Sequence, residues 1–261
     1  MSAAAEAPAP GTATAGDFTW HELMTDDPAG AQAFYAQVFG WRFDQGAVGG
    51  RSYSVILAGD TAIGGMLGLD QAMLAGGARP VWAGYVAVDG LGAASENLHR
   101  RGGQILMDDL AIPGMGRCAL AADPEGVPIY LMEYDAPPPA SGTFVWNELA
   151  ARDQDGTQGF YCGLFGWRQE GEMPMGELGD YRFLNRGERM IGAIMPVGNS
   201  GKANGWTFYF AVPDIDAAAS RVRESGGTLL QGPDEIPGGD FSASARDPSG
   251  AIFGMVGPRR A

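Results

Sequence analysis

The chain has 261 residues, 45% of them hydrophobic and 18% charged, a globular balance sufficient for one large domain or two of ordinary size. Its net charge of −14 opposes binding to nucleic acid or to anionic lipid, since both need cationic groups. Two cysteines, Cys118 and Cys162, exclude a disulfide framework and a cysteine-rich zinc site; with no apolar run of membrane-spanning length, they point to a reduced, cytoplasmic setting.

Residues 1–16, rich in Ala, Pro, Gly and Thr, lack the basic start and apolar centre of a secretory signal and read as a disordered tail. Phe18 to Thr25 alternates as a strand, placing Trp20, Glu22 and Met24 on one face and His21 and Leu23 on the other. Asp26 or Asp27 then caps a helix with Pro28 in its first turn. Ala31, Phe34, Tyr35, Val38 and Phe39 recur at helical spacing, and Gly40 stops the helix. This aromatic stripe reads as core. Strands are expected near Trp41 to Phe43, Ser52 to Ala58 and Ala62 to Leu69. The plan then repeats: a strand from Val81 to Val88, a helix marked by Leu91, Ala94 and Leu98, and strands near Gln104 to Met107, Gly116 to Ala121 and Val127 to Glu133. The DPEG stretch at Asp123 is a turn signal before the last of these.

The phrase Phe34-Tyr35 to Trp41 returns as Phe160-Tyr161 to Trp167, 126 positions later. Phe18 to Pro28 echoes Phe144 to Gln154, Trp82 matches Trp206, and DPSG at Asp247 matches DPEG. The chain is therefore a tandem duplication. Its organisation reads as a tail over 1–16, a first domain over 17–135, a stiff proline-rich linker over 136–142 and a second domain over 143–258. Each half holds two βαβββ units, four in all, giving an α+β fold.

The opening strand, the helix containing FYxxxFGW, the GG helix stop and DPxG before the last strand resemble the vicinal-oxygen-chelate superfamily, the glyoxalase, bleomycin-resistance and extradiol-dioxygenase group. The duplicated form is similar to two-domain actinobacterial members labelled hydroxylases or antigens. The resemblance implies paired units whose sheets curve around a concave cavity. It also implies His, Gln or Glu at four inward-facing strand positions in metal-dependent members. Those positions fall on Trp20, Gly64, Ala83 and Tyr130 in the first half, and on Trp146, Gly192, Thr207 and Gly254 in the second. None is a His, Cys, Asp or Glu, so the expectation is no metal; with no flavin or nicotinamide motif, no cofactor is expected either.

Strand alternation places Trp20, Glu22, Met24, Met66, Tyr85, Tyr130 and Met132 on the first concave face, and Trp146, Glu148, Ile194, Tyr209 and Val256 on the second. Tyr53 and Tyr181 join them as further candidates. Aromatic and methionine walls with one carboxylate suit a flat hydrophobic ligand bearing a polar group. The expected partner is thus a small hydrophobic or aromatic molecule, with a homo-oligomer left open. One reading is a metal-independent enzyme of natural-product tailoring with Glu22 or Glu148 as general base, performing isomerisation, cyclisation or proton abstraction. Another is a binding or sequestration protein of the bleomycin-resistance kind. A third is a metal enzyme with displaced ligands. His21, replaced by Asn147 in the second half, reads as a surface or hydrogen-bonding residue, and His99 as exposed near a helix end.

Overall fold

The fold, taken from a computed structural model, is described for residues 13–48, 51–112, 114–136, 144–198 and 202–260. The first half runs β1 (Phe18–Thr25), α1 (Pro28–Phe39), β2 (Arg42–Val48), β3 (Arg51–Ala58), β4 (Thr61–Gly68), a short α2 (Gln71–Ala75), β5 (Val81–Ala87), α3 (Leu91–Arg100), β6 (Gln104–Ile112), β7 (Gly116–Ala122) and β8 (Pro128–Tyr134). The second runs β9 (Phe144–Ala151), α4 (Gln154–Phe165), β10 (Arg168–Pro174), β11 (Asp180–Arg186), β12 (Arg189–Pro196), β13 (Gly205–Ala211), α5 (Ile215–Glu224), β14 (Thr228–Glu235), β15 (Phe241–Arg246) and β16 (Ile252–Gly257). Four βαβββ units are present, as the repeat predicts.

Each half forms one curved eight-stranded sheet, in the orders β2-β3-β4-β1-β5-β8-β7-β6 and β10-β11-β12-β9-β13-β16-β15-β14. Two units meet at their opening strands: β1 is antiparallel to β5 and parallel to β4, and β5 is parallel to β8. The opening strands therefore occupy the middle of the sheet, where every side chain on one face looks into the curve.

Helix α1 starts where Asp27 accepts from the Gly30 amide at 3.0 Å and Pro28 pre-sets the first turn. It ends at Gly40, whose φ of 74° is a left-handed conformation that disfavours side chains. Asp153 and Gly166 repeat both devices in α4. The helices α1, α3, α4 and α5 cover the outer face of each sheet, and the core there is shared between halves. Leu23, Phe34, Tyr35, Trp82 and Ile129 belong to the same buried cluster as Phe160, Trp206, Phe208, Phe210 and Phe253.

The aromatic phrase accordingly does more than fill the space beneath its own sheet. Phe34 packs edge-on against Phe253 of the other half. The Tyr35 hydroxyl donates to Asp247 at 3.1 Å and accepts from the Trp82 indole at 2.8 Å. The second half makes the reciprocal pair: Tyr161 donates to Asp123 at 3.1 Å and accepts from Trp206 at 3.2 Å. Each DPxG aspartate thus closes its own turn and holds the tyrosine of the opposite half. His21 and Asn147, equivalent positions of the repeat, hydrogen-bond to each other at 3.3 Å. His21 is 1% exposed and its ring stacks on Phe144, so the hydrogen-bonding role holds and the surface one does not. Burial pushes its imidazole down to about 3. His99 is exposed in the last turn of α3.

Residues 13–16, expected to belong to a disordered tail, are instead held against both halves. The Gly16 amide donates to Ala87, the Gly16 carbonyl accepts from the Trp167 indole, and Arg186 donates to the Ala15 carbonyl. The rest of the expected tail, over 1–12, and residues 137–142 of the expected linker lie outside the described residues. No helix among the described residues is long and apolar enough to cross a membrane.

Candidate functional site

The middle of the first concave face is built by β1, β5 and β8, where alternation sends Trp20, Glu22 and Met24 inward with Tyr85, Tyr130 and Met132. Glu22 is 3% exposed. Its carboxylate accepts from the Tyr130 hydroxyl at 2.8 Å and from the Tyr85 hydroxyl at 3.0 Å. Tyr53, held by the Trp20 indole at 3.3 Å, contributes a third hydroxyl. The rings of Tyr85 and Tyr130 stack 4.0 Å apart. Burial pushes the Glu22 carboxyl up to about 7, against the opposing pull of the tyrosine hydrogen bonds. The same environment pushes the buried Cys118 thiol of this face up to about 12, through burial and the neighbouring Glu22. Met73 and Leu74 of α2 pack over this apolar lining.

The second concave face uses the same frame with different side chains. Trp146 donates to the Tyr181 hydroxyl at 2.6 Å, and Tyr181 donates to Glu148 at 2.9 Å. Tyr209 also donates to Glu148, at 3.3 Å. The register partner of Tyr209 is Gly254, at the place that Tyr130 takes opposite Tyr85. A side chain at 254 would collide with the Tyr209 ring, so that ring lies directly over the strand. A cation joins this group. The Lys202 ammonium forms an ion pair with Glu148 and lies 3.4 Å from the Tyr209 hydroxyl. Strand alternation offers no means of finding Lys202, because it sits in the connector between β12 and β13.

Two residues expected inside by strand alternation fall on the opposite face. Met66 belongs to the helix-side core, and Leu67 takes its place inside; Ile194 is likewise in the helix-side core. The cause is register. Glu22 lies beside Gly65, and Glu148 beside Ala193, so the inward positions are one residue away from those expected. Gly64 accordingly faces the His21 carbonyl, 2.7 Å from where its Cβ would stand. Val256 shares its face with Gly254, opposite to Phe253 and Met255 in the shared core. Trp20, Glu22, Met24, Tyr53, Tyr85, Tyr130 and Met132 gather on the first face, and Trp146, Glu148, Tyr181 and Tyr209 on the second.

The family description "Glyoxalase/Bleomycin resistance protein/Dioxygenase superfamily" matches residues 17–131 and again 143–254. The chain belongs to this superfamily. Within it, a protein named "Putative glyoxylase CFP32" from Mycobacterium tuberculosis is 32% identical over 92% of this chain and 94% of its own length. The "Anthracycline biosynthesis protein DnrV" of Streptomyces peucetius is 27% identical, with 91% of each chain covered. Among solved structures, a variant of homoprotocatechuate 2,3-dioxygenase from B. fuscum superposes with a TM-score of 0.66 at 14% identity, covering 97% of this chain and 73% of that one. The Mn(II)-bound glyoxalase of Novosphingobium aromaticivorans gives 0.64 at 15% identity, covering 94% and 83%. These structural likenesses establish the fold.

Among the described residues of this glyoxalase-superfamily member, the side chains gathered on each face do not fit a divalent metal. Three or four ligating side chains are needed together. The first face offers one carboxylate, with both oxygens engaged by phenols, and one thiol, Cys118, two groups where three or four are needed. The second offers one carboxylate already paired to an ammonium, whose charge would repel a metal ion. Among the described residues, no three His, Cys, Asp or Glu side chains gather in a metal-binding group.

Proposed function

We propose that this superfamily member takes up a planar, oxygen-bearing aromatic molecule on the first concave face, and that Glu22 exchanges a proton with it there. The observation that carries this reading is the Glu22 carboxyl, 3% exposed, pushed up to about 7 and surrounded by the hydroxyls of Tyr53, Tyr85 and Tyr130. A carboxyl poised near neutrality divides its time between acid and base, the condition under which proton transfer is most effective. When Glu22 accepts a proton, the Tyr130 or Tyr85 hydroxyl is released to donate to the oxyanion left on the ligand. Trp20 and the stacked tyrosines supply a flat apolar wall. The streptomycete relative named for anthracycline biosynthesis supports a tailoring role on fused aromatic rings. No metal takes part in this reading. The stacked pair Tyr85–Tyr130 also favours a second reading, in which the platform binds and sequesters such a molecule without proton transfer.

Both readings are separated by a hydroxyanthraquinone probe whose visible band moves when its hydroxyl ionises. At neutral pH the wild-type chain is expected to bind the probe and ionise it, and Glu22→Gln to bind with about the same affinity while losing the ionised band of one bound probe. An unionised band in the wild type would leave sequestration as the function. Ionisation undiminished in Glu22→Gln would remove Glu22 from the reaction, and absence of binding would remove both readings.

A further inference from the structure

The two concave faces descend from one repeated sequence, yet they differ in charge. On the first, Glu22 is held by phenol hydroxyls alone. On the second, the equivalent Glu148 is held by phenol hydroxyls and by Lys202. Lys202 is the single lysine of a chain with sixteen arginines and a net charge of −14. Its side chain is 16% exposed and that of Glu148 is 7% exposed.

Stability does not account for the lysine. The first face shows that this fold buries a carboxyl group at that position with hydroxyls as its partners. Adding an ammonium desolvates a second charge, and burying an ion pair generally costs about as much as the attraction returns. The corresponding connector of the first half folds as α2, and its one cation, Arg79, turns away to its own backbone, donating to the carbonyls of Leu74 and Ala78. The second half instead directs a cation inward, onto Glu148 and beside the Tyr209 hydroxyl.

We propose that Lys202 determines ligand specificity on the second face, which takes planar aromatic molecules carrying an acidic oxygen in its anionic form, a carboxylate or a phenolate. A ligand anion entering the first face would meet an uncompensated carboxylate once Glu22 is ionised. On the second, the ammonium cancels the charge of Glu148 and attracts the ligand oxygen. The strongly acidic molecule repels anions at long range, so a local cation is what makes such a ligand acceptable. The two faces therefore select different protonation states of related ligands: a proton-donating neutral form on the first, an anion on the second. This rests on the proposed binding of aromatic molecules, and it reads Lys202 independently of Glu22.

Because the chain has one lysine, full-length protein labelled with 13Cε-lysine gives one methylene resonance that reports the second face directly. The probes are anthraquinone-2-carboxylate and its neutral carboxamide. The carboxylate is expected to shift that resonance saturably at neutral pH, with the carboxamide at least about tenfold weaker. Lys202→Met, followed by tryptophan fluorescence, should reduce carboxylate affinity to that of the carboxamide, and Lys202→Arg should retain the preference. An unmoved lysine resonance, equal affinity for both probes, or a preference that survives in Lys202→Met would overturn the proposal. Since the resonance reads the second face, its response stands whether or not Glu22 ionises a ligand on the first.

Discussion

At the scale of single residues, two buried titratable groups on opposite faces of β1 pull stability in opposite directions with pH. Glu22 is raised from 4.5 to about 7 on folding, so the unfolded chain loses this proton first. Its contribution is fully present below pH 4.5 and is lost as pH rises through 7, a decline on the order of 3 kcal/mol. His21 is lowered from 6.5 to about 3, so its contribution is present above pH 6.5 and is lost as pH falls toward 3. Urea melts at about pH 5 and about pH 8 separate them. Glu22→Gln should gain stability relative to wild type at the higher pH, and His21→Asn should resist acid better than wild type. A Glu22→Gln variant with the pH profile of the wild type would show that the carboxyl is not poised as described. Glu22 was legible in the sequence because a carboxylate two positions after Trp20 on an alternating strand points where the tryptophan points. Lys202 was not, because a connector residue acquires its place only from where the chain is led in three dimensions.

At the scale of elements, the helices α1 and α4 were legible from the apolar spacing and the glycine stop, which act within a few residues of sequence; the cap of α1, open between Asp26 and Asp27 in the sequence, is Asp27. Their energetic role follows. Phe34 and Phe160 are 2% and 4% exposed, and truncating either to alanine should cost roughly 3–5 kcal/mol, read from urea melts. A loss below about 1 kcal/mol in either variant would contradict its place in the core. Strand β4 was less legible. Its stretch Gly64-Gly65 offers no side chain to mark a face, and a one-residue slip moves every neighbour to the other side. What fixes the register is pairing with β1, a contact of long sequence separation. Helix α2 escaped notice for a related reason: five residues, capped by Asp70 on the Met73 amide at 2.8 Å, are too few to show a period.

At the scale of the whole molecule, the duplication reads as two domains in sequence but buries a shared interior in space. Leu23 and Leu149, the helices α1 with α5, and α3 with α4 meet across the pseudo-symmetric centre. The reciprocal bonds Tyr35–Asp247 and Tyr161–Asp123 fasten that meeting twice. Neither bond was visible in sequence, since each joins a helix of one half to a turn of the other, 212 and 38 positions apart. The expected consequence is that neither half is stable by itself. A fragment of residues 13–136 would expose Phe34, Tyr35 and Trp82, an apolar surface that water disfavours. It also carries both partners of one bond type, Tyr35 and Asp123, so two copies are able to recreate the cross-half contacts between themselves. Sedimentation of the fragment should therefore show a dimer, and its thermal midpoint should rise with concentration as dissociation is suppressed. Asp123→Asn in the fragment should weaken that dimer, because the tyrosine would lose its charged acceptor. A monomer that melts cooperatively at a concentration-independent temperature would show that each half keeps its own core, and that the clasp between them is secondary.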